Sequence, residues 1–151
     1  MSDKISENLL PELFKTFFED PQFYENTNDY LKFNFLPEES WKKVLTTMNT
    51  QYELNEILPT YGYISELFRD DRGVQETIAE IKSAQISGKN HYILDSYERY
   101  IKDSMFMESW IKMSDMFNDG NRDKSLEFFK EQSNVISSFS FKADTYKKVF
   151  E

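Results

Sequence analysis

From His91 to Asn118 the chain reads HYILDSYERYIKDSMFMESWIKMSDMFN, 28 residues with neither glycine nor proline. An unbroken helix over this run is about 42 Å long at 1.5 Å per residue, which is long for the helices of a small globular domain. Its apolar residues do not share one arc. Leu94, Tyr97, Ile101 and Met105 form one stripe, and Phe106, Trp110, Met113 and Phe117 form a second stripe displaced around the axis. A surface helix needs a single apolar arc of roughly 100°. This one has two surfaces to cover.

Asp119-Gly120-Asn121 closes the run. Glycine tolerates the left-handed conformation that ends many helices, and asparagine suits the cap of a following one. That next helix presents Leu126, Phe129 and Ile136 on one side and Phe128 and Val135 on another. The expectation is a helical hairpin in which one pair of faces closes internally and the remaining apolar surface meets either the rest of the chain or another protein. Met105, Phe106, Trp110, Met113, Phe117, Phe128 and Val135 are the candidate interface residues. Periodicity alone serves a buried core stripe equally well, while methionine beside aromatic residues suits adaptable recognition surfaces.

The first half reads as shorter helices. SDKISENLLPELFKTFFED places Leu9, Leu10, Leu13, Phe14, Phe17 and Phe18 at helical spacing, with Pro11 expected in a first turn and a loop expected after EDPQF. In LPEESWKKVLTTMNTQ, Pro37, Glu38 and Glu39 make a favourable first turn for a helix that buries Trp41, Val44, Leu45 and Met48. Ile64, Leu67 and Phe68 mark a short helix, RDDRG interrupts it, and Val74, Ile78 and Ile81 carry the next. The boundary between bundle and hairpin falls at Ser87 to Asn90. Residues 1–88 are thus read as a globular bundle, 89–140 as the hairpin and 141–151 as the start of a linker. Four glycines and four prolines in 151 residues favour this all-α architecture over a turn-rich β fold.

Chemistry is sparse. No GxxxxGK[ST] loop is present, and Gly88-Lys89-Asn90 lacks both the upstream glycine and the hydroxyl residue that such a phosphate loop needs. His91 is the sole histidine, and there is no cysteine, which removes thiolate nucleophiles, thiolate metal sites and histidine pairs. The acid pairs Glu19-Asp20, Glu38-Glu39 and Asp70-Asp71 lie at expected helix ends or in loops, where solvated acids are ordinary. The reading is therefore of a non-enzyme without cofactor or metal. A net charge of −9 repels a phosphate backbone, and the only basic doublets, Lys42-Lys43 and Lys147-Lys148, are isolated. Direct nucleic-acid binding is not expected. The N-terminus MSDKISENLL lacks signal-peptide character and no apolar run reaches the roughly 20 residues of a membrane span, so a cytoplasmic protein without membrane association is expected.

The order of segments resembles the N-terminal domain of DnaB-like replicative DNA helicases. The likeness covers LPELFKTFFEDPQFYE, LKFNFLPEESWKKVLTTMN, PTYGYISELFRDDRGVQETIAEI and ILDSYERYIKDSMFMESWIKMSDMFNDGNRDKSLEFF. Trp41 stands where that family commonly has a histidine, and the extra aromatic residues mark a divergent version of phage or mobile-element type. The resemblance implies a helical bundle with a protruding hairpin that pairs with a neighbouring subunit's hairpin, and docking of primase or a helicase loader. It also implies that FSFKADTYKKVFE leads toward an ATPase motor outside this sequence. A stand-alone helical adaptor or inhibitor that binds a host protein is the competing expectation, and a small helical enzyme the third.

Overall fold

In the computed structural model, residues 2–86 and 90–141 are described. Residues 87–89, where the bundle boundary was expected, and 142–151, most of the expected linker, lie outside them. The described residues form seven α-helices and two short 3-10 turns with no strand, an all-α fold as expected.

Helix α1 (Ser2–Glu19) puts Leu9, Leu10, Leu13, Phe14 and Phe17 in the core. Pro11 lies inside this helix and not in its first turn. An interior proline costs about 3 kcal/mol through its missing N–H and ring clash. Burial of five large apolar side chains at roughly 1.5–3 kcal/mol each outweighs that. Where a loop was expected, Pro21–Thr27 forms helix α2, whose cap is Asp20 accepting a hydrogen bond from the Phe23 amide at 3.2 Å. Pro21 needs no amide partner in that first turn, and α2 buries Phe23, Tyr24 and Thr27.

Helix α3 (Glu39–Asn55) starts just after Pro37 and buries Trp41, Val44, Leu45 and Met48, the stripe read from the sequence. It ends at Glu56, which takes up the left-handed conformation at φ 58°. Thr60 caps α4 (Tyr61–Leu67) by accepting from the Tyr63 amide at 3.1 Å, and Asp71 caps α5 (Arg72–Ser83) by accepting from the Val74 amide at 3.1 Å. Ile64, Val74, Ile78 and Ile81 point inward, whereas Leu67 is exposed. At the far end of α5, the Lys15 ammonium donates to the carbonyls of Lys82 at 3.1 Å and Ala84 at 2.7 Å. A cation there meets the negative end of the helix dipole and ties α1 to α5.

Helix α6 (Asn90–Asn118) is a single 29-residue element, and α7 (Arg122–Ser138) returns antiparallel to it. The first half of α6 belongs to the bundle: Ile93, Leu94, Tyr97 and Ile101 are buried in the same core as α1 and α3. The core is strongly aromatic. Phe14 meets Trp41 edge-on at 4.9 Å, and Phe17 meets Tyr24 at 5.4 Å and Tyr97 at 6.0 Å, geometries that add to area burial. Tyr97 donates its hydroxyl to the Thr27 carbonyl at 2.8 Å, and Tyr100 donates to the Phe35 carbonyl.

After α7 the chain comes back to the bundle. Phe139 and Phe141 pack on Tyr30 with centroids 5.2 Å away in each case, Phe141 sits 4.9 Å from the Tyr97 ring, and its amide donates to Glu98 at 2.8 Å. Phe141, read from the sequence as the head of a linker, is thus a buried core residue. Both legs of the hairpin are rooted at the Tyr97 level of α6.

Candidate docking site on the hairpin

The turn between α6 and α7 is set by backbone chemistry. Gly120 has φ 88°, the Asn121 amide donates to the Met116 carbonyl at 2.9 Å and the Gly120 amide to the Phe117 carbonyl at 3.1 Å. This pair of bonds, six-to-one and five-to-two, closes a helix on a left-handed glycine. Asn121 occupies the cap position of α7, but its side chain makes no capping bond.

Small residues set the spacing of the two helices. Ser109 on α6 and Ser125 on α7 are buried, and the Ser125 hydroxyl donates to the Met113 carbonyl at 2.9 Å. Ser109 and Met113 lie one turn apart and define the face of α6 that meets α7. Met113, Phe128, Phe129 and Ile136 are half-buried.

The expected interface residues divide accordingly. Met105 packs against the bundle core. Met113 and Phe128 are half-buried. Phe106, Trp110, Phe117 and Val135 are exposed. Phe106 and Trp110 stack at 6.4 Å, and Phe129 from α7 meets both edge-on at 6.3 and 6.5 Å, so these three rings form one aromatic cluster. Phe106 remains 44% and Trp110 48% exposed, because the cluster has a seam on one side and nothing on the other. Phe117 at the tip lies under the Arg122 guanidinium, 5.9 Å from the ring centroid. Leu126, grouped on one side with Phe129 and Ile136, is exposed while those two are half-buried.

Met107 and Ile111 are two apolar residues that the two-stripe reading left unassigned, and they are 55% and 56% exposed. One turn apart, they point about 100° away from Phe106 and Trp110 around the axis. They form the open edge of a groove of about 610 Å3 between α6 and the Phe33–Phe35 turn, floored by Phe35 and Tyr100. Asn34 donates to Glu108 across this groove, and Lys32 pairs with the same carboxylate at 3.6 Å. Burial pushes the Tyr100 phenol up to about 12. The signal for Met107 and Ile111 was their i, i+4 spacing in a third direction.

Among the described residues, no cluster of three or more acids or histidines could hold a metal ion, and no helix is long and apolar enough to cross a membrane. Of the fourteen large hydrophobic residues exposed among the described residues, seven lie between Phe106 and Val135. The hairpin thus carries half of the large apolar side chains that the described residues expose. Compared with known proteins, the chain matches no family model, no curated protein and no solved structure.

Proposed function

We propose that this protein is a non-catalytic docking and self-association module whose working surface is the exposed aromatic side of the hairpin. The observation that carries this reading is the Phe106–Trp110–Phe129 cluster, three rings in mutual contact with the two on α6 about half exposed, on helices whose seam is already closed by Ser109 and Ser125. Internal packing has no further use for those faces, and a second hairpin offers a matching surface. The sequence resemblance supports a more specific form of the same reading, in which the chain is the N-terminal domain of a DnaB-like replicative helicase and helps organise a ring while docking primase or a loader.

The test is the association state. Trp110→Glu is expected to shift the protein toward monomer in sedimentation at several concentrations, with helical content unchanged, because buried aromatic anchors commonly carry about 2 kcal/mol or more at an interface. A parent protein that stays monomeric at high concentration, or a variant that unfolds, removes the self-association reading. A native coding sequence that runs past Glu151 into GxxxxGK[ST] favours the helicase form, and one without such a loop favours a stand-alone adaptor.

A further inference from the structure

A second apolar surface lies on the bundle, at the corner where α3 turns into α4. Leu54 is 72% and Ile57 70% exposed, the two highest values among the large hydrophobic residues described, and Tyr63 and Leu67 are exposed on the helix that follows. Gln51, one turn before Leu54, donates to the Tyr63 hydroxyl at 3.1 Å and ties the end of α3 to α4. Beyond Leu67 the surface opens into a hollow of about 510 Å3 at the α4–α5 joint.

Around Leu54 and Ile57 its charge is acidic. From Val44 to Phe68 the chain has no lysine or arginine and three glutamates, Glu53, Glu56 and Glu66. Glu25 on α2 adds a fourth carboxylate, which shares the surroundings of Tyr52 with Glu56. The next arginines along the chain, Arg69 and Arg72 at the hollow, are engaged by Glu66 at 3.3 Å and Glu76 at 3.0 Å. Glu56 is also the only residue other than glycine with positive φ among those described. Glycine is the usual residue at such a helix end, so a glutamate is held there against local preference.

We propose that this corner binds a basic amphipathic segment of another protein, with apolar side chains on Leu54 and Ile57 and lysine or arginine facing Glu53 and Glu56. The acidic rim disfavours nucleic acid and anionic lipid, and it favours cationic partners by the same Coulomb argument. This site is separate from the hairpin and does not depend on the role assigned to it.

The test uses the full chain and two labelled synthetic helical peptides, one of leucine and lysine at i, i+3, i+4 spacing and one with glutamate in place of lysine. Fluorescence anisotropy is expected to show binding of the lysine peptide only, weakened by salt. The paired change Leu54→Ser with Ile57→Ser should weaken it about tenfold, while Trp110→Glu leaves it within about twofold. Glu56→Gly separates binding from folding: it should raise the melting temperature, because glycine fits the backbone, yet lower the affinity several-fold. Equal binding of both peptides overturns the proposal, as does loss of binding through Trp110→Glu with the corner variant unaffected. A corner variant that changes the sedimentation of the chain alone, with peptide binding intact, points to a second copy as the occupant and also overturns it.

Discussion

Tyr97 concentrates several demands at one residue. Its ring touches Phe17, Phe23 and Phe141, its hydroxyl is bonded to the Thr27 carbonyl, and burial holds its phenol well above its ordinary value of 10.0. A tyrosine whose folded pKa is raised stabilises the fold in its neutral form. That contribution is complete below the unfolded value near 10 and is lost as pH rises toward the folded value. Tyr100, pushed up to about 12, acts in the same direction. The melting temperature should therefore be insensitive to these groups up to about pH 9 and fall between about pH 10 and 12, as followed by circular dichroism. Tyr97→Phe should cost about 1 kcal/mol at neutral pH by removing the donor to Thr27, and should make that alkaline fall shallower. Asp71 works at the other end of the scale. The hydrogen bond from Lys43, then that from the Val74 amide, hold its carboxyl below the ordinary value of 3.8. Its contribution is present above that value and disappears as pH drops below it, so Asp71→Asn should flatten the acid limb of the same titration.

At the scale of elements, long stretches with a clear 3.6-residue period were legible from the sequence. The buried stripes of α3, α5 and the first half of α6 follow from Trp41-Val44-Leu45-Met48, Val74-Ile78-Ile81 and Leu94-Tyr97-Ile101. Helix α2 was missed because its apolar residues Phe23 and Tyr24 are adjacent and show no helical spacing, unlike Ile64 and Leu67 of the equally short α4, and its only signals are the Asp20 cap and Pro21. Pro11 misled because a local rule about proline was outweighed by apolar burial on both sides of it. The exposures of Leu54, Leu67 and Leu126 were hidden for another reason: apolarity states what a residue can bury, and only the fold states whether anything covers it. The hairpin turn tests how far local rules hold. At Gly120, with φ 88°, an added Cβ would meet no atom within 4 Å, so Gly120→Ala should lose about 1 kcal/mol through backbone conformation alone. Gly120→Asn should lose less, since asparagine tolerates that conformation. Urea unfolding of the two variants distinguishes them.

For the molecule as a whole, one core spans α1 through the first half of α6 and includes Phe141, Glu108 adds a polar tie to Asn34 and Lys32, and beyond that tie α6 packs on α7 through their own seam. Local opening should follow that division. Hydrogen exchange along α6 is expected to be slowest at Tyr97 to Ile101 and progressively faster toward Met116 to Asn118, a gradient within a single helix that mass spectrometry of peptides resolves. Uniform protection along α6 in the isolated chain at low concentration would argue that the outer half is packed like the inner one. The rooting of both legs beside Tyr97 has a geometric consequence. Because the chain departs and returns at adjacent points, seven residues added to each arm, two near-complete turns, extend the projection by about 10.5 Å and leave the base where it was. The hairpin is in this sense a ruler graduated in helical turns, and the distance at which the bundle holds whatever meets the Trp110 surface can be reset by paired insertions alone.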